Sequence, residues 1–168
     1  PLSFYIYIMR STPLMLQIMF IYFLLPQVLP FRVDRFWAVI FAFVINYAAY
    51  FAEIFRSGIQ SIDGGQTEAA RSLGLSQGQN MRFIILPQAI KNILPAIGNE
   101  FVTIIKETSI LGMVGIVELM FRAQSIAKQT YIFLEPYVIA AIMYFIIVFP
   151  LSKIIAAVER RMSKSVTR

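Results

Sequence analysis

Polar side chains recur at helical spacing inside hydrophobic stretches of this chain. Asn46, Tyr50 and Glu53 share one face with Ala49, and Asn92, Asn99, Thr103 and Lys106 form a second stripe. Glu100 and Glu107, seven residues apart, lie beside that stripe. A charged group in hydrocarbon costs about 3 kcal/mol or more unless it is paired or wet, so each is a functional candidate. Asn donates and accepts, Glu accepts, and Lys donates. Together they suit a small polar solute that carries both an ammonium and a carboxylate. The plainer alternative is that they tie helices together, and Glu53 has Arg56 three residues on as a partner. Histidine and cysteine are both absent. The commonest general base and metal ligand, and the thiolate nucleophile, are therefore missing. No span holds a close pair of Asp residues, and no G-x-x-x-x-G-K-[ST] loop is present. These absences weigh against an enzyme, and no metal or cofactor is expected.

The elements that must hold these residues are membrane helices. Of the 168 residues, 58% are hydrophobic and 14% charged, and the mean hydropathy is +0.71. A soluble domain covers its surface with about 25% charged residues. Lipid must cover much of this one. Four stretches are long enough to span, at about 20 apolar residues each: about Ser11–Leu29, Phe36–Phe55, Phe83–Ile105 and Tyr137–Val158. Pro87 and Pro95 are expected to interrupt the third. The apolar Ile110–Met120 stretch is too short to cross and reads as an interfacial or re-entrant piece. The chain opens at Pro1 and enters a hydrophobic run without a basic leader, so a missing N-terminal part is expected.

The net charge is +6. In a membrane chain that excess marks cytoplasmic flanks and not a nucleic-acid partner. Placing the Pro1 end in the cytoplasm puts ten of the fifteen Lys and Arg on that side, including Arg10, Arg56, Arg71, Arg82, Arg160 and Arg161. Both ends and the Arg56–Arg82 loop then face inward. That loop itself reads as helical. Asp63 is placed to cap a helix with the body Gln66–Leu73, Gly74 suits a left-handed stop, and Ser76 with Gln79 forms a capping box for the next helix. Glu68 is expected in the first turn, where it favours the helix dipole. Ala69, Ala70 and Leu73 offer a small-residue face on which a partner protein could dock.

Glu68-Ala69-Ala70, then three residues, Gly74, nine residues and Ile84-x-Leu86-Pro87 match the EAA loop of ABC importer permeases at every fixed position. Arg10-Ser11-Thr12-Pro13-Leu14 resembles the R-G-T-P-L segment of polar amino acid permeases. Ala52-Glu53-Ile54-Phe55-Arg56 resembles their A-E-I-F-R, and Gly98-Asn99-Glu100-Phe101 and Lys106-Glu107-Thr108-Ser109 also match. Ser11 stands where that family usually has Gly. The resemblance covers nearly the whole chain. It implies an all-α transmembrane bundle, one permease domain over residues 1–168, with a fifth span in the missing N-terminal part. Residues 63–75 would form a cytoplasmic coupling helix, in which Glu68, Ala69, Ala70, Arg71, Leu73 and Gly74 meet the ATPase.

The implied function is uptake of a polar amino acid across the cytoplasmic membrane, a basic one being favoured by the several Glu residues. Asn46, Tyr50, Glu53, Asn99, Glu100, Thr103 and Glu107 would line the path. The implied partners are a dimer of ABC ATPases, a second permease chain and an extracytoplasmic amino acid-binding protein. A secondary amino acid transporter is the other reading. It shares the polar spans and proline breaks but has no need of a docking helix.

Overall fold

A proline has no N–H to give and crowds the residue before it, so the chain bends at Pro13 and the helix widens before Pro87. The computed structural model describes residues 2–28 and 34–163, and every regular element among them is helical. In order they are α1 (Leu2–Ser11), α2 (Leu14–Val28), α3 (Arg35–Gln60), α4 (Gly64–Ser72), α5 (Gln77–Asn80), a wide π turn (Met81–Ile85), α6 (Leu86–Glu107), a tight 3-10 segment (Thr108–Val114), α7 (Leu119–Thr130) and α8 (Leu134–Ser163).

Two of these, α3 and α8, are long and apolar enough to cross a membrane. The expected first span falls on α2, and α1 precedes it; the two bend by 108° at Thr12-Pro13, the geometry of a broken span or of a re-entrant loop. Its expected end at Leu29 lies outside the described residues. The expected third span begins in the π turn and runs through most of α6, which is 22 residues long. Its polar side chains, Lys91, Asn92, Asn99, Glu100 and Lys106 among them, keep it from qualifying by apolarity.

The chain forms two compact units. The first comprises Pro1–Tyr50 and Val102–Leu151, and the second Phe51–Phe101 and Ser152–Arg168. In the first unit the α1–α2 bend is held by side chains. The Gln17 amide donates to the Met9 carbonyl at 2.9 Å and to Thr12 Oγ1 at 2.7 Å. Asn46 on α3, 2% exposed, donates to Gln17 Oε1 at 2.9 Å and to the Met9 carbonyl at 3.2 Å. These bonds replace helix bonds that Pro13 denies, which a non-aqueous setting demands.

α7 was not expected from the sequence, which stops at a short apolar piece ending at Met120. Glu118 caps it, its carboxylate accepting from the backbone N–H of Met120 at 2.6 Å and of Phe121. Ala123 and Ala127, four apart, form its buried stripe. Tyr131, at φ 58°, ends it in a left-handed conformation that Gly or Asn more often supplies.

In the second unit α3 and α6 meet at Gly58. A Cβ on Gly58 would stand 2.3 Å from Ile93 Cγ1. Hydrogen is all that fits there. Gly58→Ala should lower the thermal midpoint by the equivalent of about 1–3 kcal/mol. In Gly58→Ala/Ile93→Ala the loss should be smaller than the sum of the two single losses. Strictly additive losses would show that the contact is not the cause.

Candidate functional site

The loop between α3 and α6 carries the motif residues, and local hydrogen bonds build it. The Asp63 carboxylate accepts from the Gly65 N–H at 2.8 Å and caps α4. At the other end the Leu75 N–H reaches the Ala70 carbonyl at 3.1 Å, and the Gly74 N–H reaches that of Arg71 at 2.9 Å. This pair of bonds is the Schellman stop, which requires a left-handed residue; Gly74 has φ 77°. Ser76 and Gln79 form a reciprocal capping box that opens α5. α4 therefore has both ends fixed by the sequence itself.

Glu68 is the fifth residue of α4, so it lies beyond the first turn and does not act on the helix dipole as expected. Ala69 and Ala70 also part company. Ala70 is 1% exposed and packs into its own loop. Ala69 and Glu68 are exposed, as are Arg71 and Gly74, and Leu73 is 80% exposed. Leu73 and Ala69, four residues apart, form the outward face of α4. The expectation that Ala70 belongs to that face is corrected: its small size serves packing beneath α4, and the outward residues are Glu68, Ala69 and Leu73.

Just past the loop, Pro87 cannot donate to the Phe83 carbonyl. The helix widens there, and the Leu86 N–H reaches back five residues to the Met81 carbonyl. The Gln88 amide donates to the Ile84 carbonyl at 2.9 Å. Pro87 is the second residue of α6, and the helix continues unbroken through Pro95. The expected interruption of the third span at both prolines is therefore confined to the turn before α6.

The residues expected to line a path have mixed surroundings. Asn46 is buried and uses its amide hydrogens on Gln17 and Met9, as described above, so it ties helices together. The Glu53 carboxylate is held by the Arg56 guanidinium through Nε, at 2.9 Å, and Nη2. Glu107 accepts from the Tyr47 hydroxyl at 2.6 Å, with Tyr47 6% exposed. The Arg10 guanidinium stands 5.6 Å from the centre of the Tyr50 ring, in cation–π range. Glu100 and Thr103 on α6 are half-buried and Asn99 is exposed.

A membrane-crossing all-helical chain with an end-capped loop helix is the class to which this geometry belongs. The chain belongs to the family of binding-protein-dependent transport system inner membrane components, whose model matches residues 1–164. It is thus a membrane permease component of a transport system and not an enzyme. A secondary transporter, which works without a binding protein, does not fit that family.

Among its relatives is the arginine transport system permease protein ArtQ of Bacillus subtilis, 47% identical over 97% of this chain and 74% of the relative. The glutamine transport system permease protein GlnP of Escherichia coli is 40% identical over 94% and 73%. A crystal structure of an amino acid ABC transporter with histidines superposes with a TM-score of 0.88 at 46% identity, over 95% of this chain and 74% of that one.

The different surroundings of the two alanines give a direct test. Ala70→Leu should destabilise the protein by about 1–3 kcal/mol through overpacking, read as a lower thermal midpoint in detergent. Ala69→Leu should leave the midpoint unchanged. Equal effects at the two positions would contradict the assignment of inner and outer faces.

Proposed function

We infer that this permease carries a polar α-amino acid into the cell, and that the energy enters through α4. The observation that carries the reading is the capped helix with an outward Glu68, Ala69 and Leu73. A short helix fixed at both ends, with one open apolar residue, can seat in a partner's groove without melting. α4 lies between α3 and α6, the two helices that bear the polar stripes. Closure of a partner ATPase dimer against α4 would therefore act on both.

The cargo class is supported by the names of the arginine and glutamine permeases and by the chemistry of the stripes. Glu100, Asn99 and Thr103 offer acceptors for an ammonium, and Tyr50 and Asn99 offer donors for a carboxylate. Glu53 is engaged by Arg56 and Glu107 by Tyr47, and Asn46 holds the α1–α2 bend. A basic amino acid remains the favoured cargo.

The proposed arrangement is one permease domain with four crossings: α1–α2, α3, α6 and α8. Both ends and residues 63–75 would be cytoplasmic. A second permease chain would complete the path, and an extracytoplasmic binding protein would deliver the amino acid. With no cysteine in the chain, the topology is open to single-thiol labelling: Asp34→Cys should react with an impermeant reagent from outside and Ser163→Cys should not.

The decisive variant is Leu73→Asp. In vesicles holding the permease, its ATPase and its binding protein, uptake of L-arginine or L-glutamine should fall at least tenfold, while the variant still inserts and keeps its thermal midpoint. Uptake at the parent rate would remove α4 as the coupling element.

A further inference from the structure

Behind α4 lies a cavity of about 260 Å³, wholly within the second unit. Its lining includes Thr67 and Arg71 of α4, Gln77 and Asn80 of α5, Ile59 in the last turn of α3 and Ile62 just after it. Asn80 is 5% exposed. Its Nδ2 donates to Thr67 Oγ1 at 3.3 Å. Its Oδ1 is the one buried side-chain polar atom among the described residues with no hydrogen-bond partner. An orphaned buried carbonyl costs about 1–3 kcal/mol, a penalty that a donor in the cavity would remove. The volume is ample for more than water, which takes about 30 Å³ per molecule in the liquid.

The lining has three kinds of chemistry. Asn80 Oδ1, the Gln77 amide oxygen and Thr67 Oγ1 are acceptors suited to an ammonium. The Arg71 guanidinium is a two-pronged donor suited to a carboxylate. Ile59 and Ile62 are apolar and suit an aliphatic stem. A free α-amino acid has these three parts joined at one carbon.

We propose that this cavity binds a free α-amino acid from the cytoplasm, and that its occupancy braces α4 against the end of α3 and slows uptake. This rests on the reading of α4 as the coupling helix, and it adds a product-sensing site to it. Such a site senses accumulated cargo at the point where force enters. It needs no extra domain.

The labelling test reads the site without transport. Met81→Cys, which lines the cavity but supplies none of the recognising groups, is the sole thiol in a chain that has no cysteine. Its reaction with a maleimide is followed on the permease band. L-glutamine or L-arginine at twice its dissociation constant fills two thirds of the sites and should slow labelling about threefold. Acetate and methylamine, each carrying half the recognition, should not protect. Protection should vanish in Arg71→Gln, whose side chain is exposed and whose folding is not at stake, and in Asn80→Leu. Unprotected labelling, equal protection by acetate, or protection that survives Arg71→Gln overturns the site.

In vesicles preloaded with the same amino acid on the cytoplasmic side, initial uptake should fall severalfold, and in Asn80→Leu it should not. Protection without slowed uptake overturns the braking role. A complex that takes up amino acid while Met81→Cys labels unprotected leaves the transport reading intact and removes this site. Protection in a complex that moves no amino acid does the reverse.

Discussion

A carbonyl or amide left open in hydrocarbon finds no water, so each interruption of a membrane helix must bring its own replacement bonds. The α1–α2 bend exists because Pro13 withholds a donor, and it persists because Gln17 and Asn46 converge on Met9 and Thr12. The wide turn before Pro87 follows the same rule, with Gln88 supplying a side-chain donor to Ile84. Polar residues in this chain thus answer first to the backbone. That is why Asn46, which looks from its spacing like a path residue, is a structural tie.

The loop helix shows what two adjacent alanines can do. Ala70 lets α4 lie close on its own loop, and Ala69 keeps the opposite side low so that Leu73 stands proud. The pair is useful because its members face different ways. Gly58 serves close approach in the same unit, where hydrogen alone fits against Ile93. α4 rests on its loop through Ala70, and its capped ends fix where it begins and stops.

Local chemistry was legible in the sequence where one or two residues decide the outcome. Asp63, Gly74 and the Ser76–Gln79 box were read correctly because caps depend on neighbours alone. The long apolar runs of α3 and α8 were equally plain. Side-chain direction was not: nothing in Glu68-Ala69-Ala70 says which alanine faces inward, and the helix begins too early for Glu68 to reach the first turn. α7 was missed because Glu118 is an unusual cap and Tyr131 an unusual stop, so neither end carried its common signal. The π turn was missed because its cause, Pro87, reads as a helix break when only spacing is known. The pairing of Glu53 with Arg56, by contrast, was foreseeable from their separation of three residues.

In the proposed coupling a partner ATPase meets the outward side of α4. A photoreactive amino acid at position 73, in the assembled transporter, tests this contact. An ATPase crosslink is expected from position 73 and from 69, and none from 70, which faces inward. Absence of any ATPase crosslink from 73, with strong crosslinking from another exposed segment, would contradict it.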